Sequence, residues 1–147
     1  AVLLRQEPSE DAWEIAPGTL DVWWQGKGPN GHLMLLLVHL FCTDPDVRGR
    51  SIRLIRMVPS EAGRADTLVH LQALSQEVRI PCESVVVVGK DFAQVLQRES
   101  EGSSLVLLGM ADPRQRENGF VDYLETLAAD VPNVLFVHSA GDMSLHV

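Results

Sequence analysis

The sequence predicts an α/β domain built on an open, mostly parallel five-stranded sheet with helices on both faces. Two observations predict it. Several short runs are β-branched and almost wholly apolar, as strands covered on both faces must be. Between them apolar residues recur at helical spacing, so strand and helix alternate and the crossovers favour parallel pairing. A chain of 147 residues suits one domain, and an apolar share of 46% is enough to fill its core.

The elements follow in order. Residues 1–18 are expected to be a linker segment: residues 1–4 have strand character, but 7–18 (EPSEDAWEIAPG) is polar and proline-containing. Residues 19–147 then form the single domain. The first strand of that domain is 19–24 (TLDVWW). Trp23 and Trp24 are adjacent, so their side chains point to opposite faces and one indole is expected under each helical layer. The run 32–41 is apolar nearly all round and reads as a helix packed on several sides. Residues 51–58 (SIRLIRMV) form the next strand. In 65–78, Leu68, Leu71, Leu74 and Val78 make one stripe while Gln72, Gln76 and Glu77 face outward.

Glu83–Val88 (ESVVVV) is a strand, and Asp91 caps a short helix carrying Phe92, Val95 and Leu96. Residues 104–110 (SLVLLGM) form the fourth strand. Asn118 caps a helix with Phe120, Leu124, Leu127, Ala128 and Val131 on one stripe, and Pro132 ends it. Residues 133–138 (NVLFVH) are the fifth strand, and 143–147 (MSLHV) a short C-terminal edge strand after a SAGD turn.

Composition excludes several functions. A net charge of −8 leaves too few cations to neutralise phosphates, so neither nucleic acid nor an anionic lipid surface is expected as the main partner. The two cysteines, Cys42 and Cys82, lack CxxC spacing and read as reduced, buried thiols. The longest apolar run, 33–40, falls well short of the ~20 residues a bilayer span needs. No secretory signal opens the chain. Its first residue is Ala, which leads us to expect a piece of a longer protein or a processed chain.

Open parallel sheets take ligands beyond the carboxyl ends of their strands, so those loops are the places to look for chemistry. In QGKGPNG, Gly26, Gly28 and Gly31 satisfy the bare spacing GxGxxG between a strand and a helix, a weak candidate phosphate cradle. Lys27 is followed by Gly28 rather than Ser or Thr, Pro29 interrupts the turn, and Pro59 and Ser60 stand where an acidic residue would bind ribose. The order of elements resembles that of universal stress proteins, whose ATP-binding glycines follow the fourth strand. Only Gly109 fits that pattern here; Asp112, Glu125 and Thr126 occupy the other positions, and without glycine the backbone cannot approach a triphosphate closely. No cofactor is expected.

His32, His39 and Cys42 share a helical face, but no carboxylate accompanies them and no metal site is expected. His70 reads as solvated, and His138 and His146 have no nucleophile beside them. Ser103 and Ser104 begin a strand instead of forming a GxSxG elbow. Asp112, Arg114, Arg116 and Glu117 read as loop solvation. No catalytic constellation assembles, so the chain is not read as an enzyme.

Several segments resemble cation–chloride cotransporters. LDVWWQGKGPNGHLMLLL (20–37) resembles that family's I-D-V-W-W strand, Gly-containing turn and L-M-L-L-L helix. SIRLIRM (51–57) is similar to its S-I-R-I-F strand, and SLVLLGMADP (104–113) to D-L-V-L-L-N-M-P-x-P. FVDYLETL (120–127) is similar to Y-M-E-F-L-E-V-L, and NVLFVHSAG (133–141) to R-V-L-L-V-R-G-G-G.

The resemblance implies the second half of the cytosolic C-terminal domain of such a transporter, in a prokaryotic member. That domain has a universal-stress-protein-like fold, dimerises and influences transport, without the membrane-embedded ion sites. The partners implied are a second copy, a preceding half-domain and the transmembrane part, on the cytoplasmic side of the membrane. The segment between the third and fourth strands lacks the long insertion of animal members, and the ending SLHV replaces I-T-I-Y-S, so animal-type phosphoregulation is not expected. The alternative reading is a free-standing universal-stress-type nucleotide-binding protein.

Overall fold

The computed structural model describes residues 2–6, 18–24, 30–45, 50–109, 122, 125, 126 and 133–137. Their elements run β1 (Val2–Gln6), β2 (Thr19–Trp23), α1 (Asn30–Phe41), β3 (Ile52–Val58), α2 (Arg64–Val78), β4 (Glu83–Val88), α3 (Phe92–Glu99), β5 (Ser103–Gly109) and β6 (Asn133–Val137). The strands form one sheet in the order β1-β6-β5-β2-β3-β4. Strands β2 to β6 pair in parallel, which is the open five-stranded sheet expected from the apolar runs.

A sixth strand comes from the segment expected to be a linker. Val2–Gln6 pairs antiparallel with β6, from Val2 opposite Val137 to Gln6 opposite Asn133. The C-terminal edge strand expected at 143–147 lies outside the described residues, as does most of the helix expected over 118–131. Of that helix Asp122, Glu125 and Thr126 are described, and all three are helical.

The alternation of side chains along the strands sorts the core into two layers. Leu20, Val22, Leu54, Val86, Leu105 and Leu107 lie on one face, under Met34, Leu35 and Val38 of α1 and Leu71 of α2. Trp23, Ile55, Val87, Val106, Leu108 and Phe136 lie on the other, under Val95 and Leu96 of α3. The two tryptophans divide between the layers. Trp23 is fully buried and meets Phe92 edge to face at 5.5 Å, whereas Trp24 packs against the α1 layer and meets His32 at 5.9 Å.

Helix α3 starts where capping chemistry places it. Asp91 has extended backbone and its side chain accepts from the Gln94 N–H. Replacing Asp91 with alanine costs about 1 kcal/mol, read as a lower urea midpoint at unchanged slope. α2 ends at Val78; its cap residue Arg79 has a left-handed backbone (φ 57°), and the Arg79 N–H donates to the Gln76 carbonyl.

Candidate functional site

The sheet's strand order reverses between β2 and β5, so the crevice beyond their carboxyl ends is where a ligand would be expected. Two of the sequence candidates there, Gly26 and Gly28, lie outside the described residues. Gly31 sits in the first turn of α1, and Gly109 is the last residue of β5.

Among the described residues, the densest polar cluster lies elsewhere, toward the amino ends of β2, β3 and β5. Asp21 interrupts the apolar run of β2 and is fully buried. Parallel pairing sets Arg53 of β3 directly beside it. The guanidinium grips the carboxylate with two bonds, Nε to Oδ1 at 2.9 Å and Nη2 to Oδ2 at 2.7 Å. Thr19 donates to Oδ1 at 2.8 Å and Ser100 to Oδ2 at 2.7 Å, and Ser103 also donates to Oδ2. Arg53 further donates to the Glu99 carbonyl at 2.8 Å, and the Trp23 indole N–H donates to Ser100 at 3.0 Å.

Five donors thus occupy a carboxylate that offers about four lone-pair positions. No acceptor capacity is left for a metal, a substrate proton or a nucleophilic water. The cluster ties β2, β3, β5 and the end of α3 together; its chemistry is structural.

Burial alone would raise the Asp21 pKa, but the bonds from Arg53, Ser103, Ser100 and Thr19 outweigh it and hold the carboxyl below its ordinary value. The native state therefore binds this proton less tightly than the unfolded chain. The contribution is fully present above the ordinary aspartate value of about 4 and is lost as the pH falls through the native value. Urea titrations stepped downward from pH 5 test this: wild type should lose more stability than Asp21→Asn over the same steps.

A second feature is a groove of about 690 Å³ between the ends of α1 and α2 and the starts of β3 and β4. His39, Cys42, Arg50, Arg79, Cys82 and Glu83 line it. Its charges nearly offset: Arg50 and Arg79 line it together with Glu83, near two helix C-termini that carry partial negative charge. Both cysteines are free, burial pushes the Cys42 thiol up, and Cys82 donates to Ser75 at 3.1 Å. A thiol whose ionisation is opposed in this way, as at Cys42, is a poor nucleophile and a poor metal ligand. Among the described residues no group of three His, Cys, Asp or Glu is placed to hold a metal ion.

His39 and His70 are exposed and His32 rests against Trp24. His138, His146 and the loop with Asp112, Arg114, Arg116 and Glu117 lie outside the described residues. Ser103 and Ser104 begin β5, where Ser103 serves Asp21 and Ser104 donates to the Thr19 carbonyl at 3.1 Å. The Asp21 cluster is what reading the sequence missed. Its signal was present: an aspartate inside TLDVWW needs a cation once the strand is buried, and Arg53 alternates into reach on the neighbouring strand.

The sequence matches no protein-family model and no curated protein. Among solved structures it is similar to the cytoplasmic domain of a prokaryotic cation chloride cotransporter, at a TM-score of 0.70 and 17% identity. The likeness covers 97% of this chain and 53% of that one, so the chain spans about half the length of the structure it matches. The two share a fold. Among the described residues, no helix is long and apolar enough to cross a membrane.

Proposed function

We propose that this chain is a non-catalytic regulatory and dimerisation domain on the cytoplasmic side of a cation–chloride-cotransporter-like membrane protein. One observation carries the reading: the fold shared with that cytoplasmic domain across nearly the whole chain. It coincides with the family that the D-V-W-W and L-M-L-L-L segments resemble. At 17% identity the fold and the motifs are separate lines of support.

The chemistry is in keeping with contact rather than turnover. The buried carboxylate is saturated by its own fold, and burial in the groove holds the Cys42 thiol above its ordinary value. Apolar side chains meanwhile reach the surface at Leu40 of α1 (53% exposed) and Val69 of α2 (62% exposed). The partners this implies are a preceding half-domain and the transmembrane part; the likeness covers 53% of the longer structure, which leaves room for a further half.

The test is chloride-dependent rubidium uptake by the membrane protein that carries this domain, with and without residues 1–147. A regulatory domain changes the uptake rate while leaving ion selectivity intact. Equal rates in the two forms would remove the regulatory reading.

A further inference from the structure

The sheet's two edges are β1 and β4. β1 pairs antiparallel with β6 alone. β4 pairs with β3 alone, and no described residue pairs with its outer side. Edge strands are usually blunted by proline, a bulge or an inward charge. β4 has none of these within it. It reads ESVVVV and keeps unbroken register with β3 from Glu83 to Val88. The Gly89 N–H donates to the Val58 carbonyl. Alternation back along the strand therefore turns the N–H and C=O of Ser84, Val86 and Val88 outward.

We infer that β4 is the dimer edge, where a second copy of this chain adds its own β4 antiparallel across a two-fold axis at Val86. The inference rests on the dimerisation reading above and names its surface. In this register Ser84 of one copy stands opposite Val88 of the other, and Val86 opposite Val86. All three outward residues then exchange backbone bonds with one another, and the two sheets become continuous.

The charges select a second copy running antiparallel. Glu83 opens the strand and Lys90 follows it, both exposed. Antiparallel self-pairing sets Glu83 of one copy across from Gly89 of the other, one residue from Lys90, at both ends; parallel pairing would set like charges together. α2, packed over β4, carries an uncharged exposed stripe of Ala65, Val69, Gln72 and Gln76. A two-fold axis perpendicular to the sheet puts both α2 helices on the same side, where such stripes can approach.

Sedimentation equilibrium at low ionic strength tests this with wild type, Glu83→Lys, Lys90→Glu, the double exchange and Ser84→Pro. Wild type is expected to be a dimer. Each single reversal weakens it by about fivefold, and the double exchange restores it to within about twofold. Ser84→Pro removes an outward N–H without touching the β3 ladder and weakens the dimer by more than about tenfold, with circular dichroism unchanged. A wild-type dimer indifferent to Ser84→Pro, or a double exchange that restores nothing, overturns the β4 edge and leaves dimerisation standing. A wild type that stays monomeric at high concentration overturns both.

Discussion

Asp21→Ala is expected to lower the unfolding free energy by roughly 3–5 kcal/mol, the range for breaking a buried ion pair from one side. The pair is anchored deep: the Asp21 side chain is 0% exposed and that of Arg53 19%. Alanine leaves the guanidinium with only the Glu99 carbonyl, and strips Ser100, Ser103 and Thr19 of a shared acceptor. Each buried donor without a partner adds its own desolvation cost. Asp21→Asn keeps the shape but turns an amide N–H₂ toward a ring of donors, so it recovers little. The double variant Asp21→Leu with Arg53→Met removes both charges together and should cost much less than Asp21→Ala. Urea unfolding followed through the buried Trp23 reads all three. A total stability of about 5–15 kcal/mol makes the single substitution a large fraction of the whole. If Asp21→Ala cost under about 1 kcal/mol, the cluster would not be the lock described.

The fold was legible because its signals are local. Four consecutive valines in β4, or the SLVLL run of β5, are the short β-branched or apolar runs that sheet strands covered on both faces require. The helices declared themselves by spacing, and α3 by its aspartate cap. The cluster around Asp21 is a long-range object: Thr19 and Ser103, which share that carboxylate, are separated by 84 positions. A serine at a strand start looks the same in sequence whether it meets water or a buried carboxylate. β1 was half legible for another reason. VLLRQ has strand composition, but its place depends on an edge of β6 far along the chain. Adjacent tryptophans, by contrast, needed only the two-residue period of a strand to be assigned to opposite layers.

Gly18→Ala should be the second most damaging small substitution, at about 3 kcal/mol, and its cost should depend on Asp21. Gly18 has φ +150°, a conformation that residues with a Cβ seldom adopt. A Cβ there would stand 2.5 Å from the Gly102 carbonyl oxygen and 2.8 Å from the Ser104 nitrogen. Both are backbone atoms, so the chain itself must move. It would move at a sensitive point. The β2–β5 register shifts between Thr19 and Leu20, which face Ser103 and Leu105, leaving Ser104 as the extra residue of a bulge. That bulge is held by the Ser104 hydroxyl on the Thr19 carbonyl and by Asn133 on the Ser104 carbonyl at 3.0 Å. Pushing Gly18 off Gly102 therefore displaces Thr19 and Ser103 together, two of the hydroxyls that donate to Asp21. The two sites should couple. In an Asp21→Asn background Gly18→Ala should cost at least about 1 kcal/mol less than in wild type, since those bonds are already compromised. Additivity within about 0.5 kcal/mol in a urea double-mutant cycle would show that the bulge and the carboxylate are independent, and that the close approach at Gly18 serves strand packing alone.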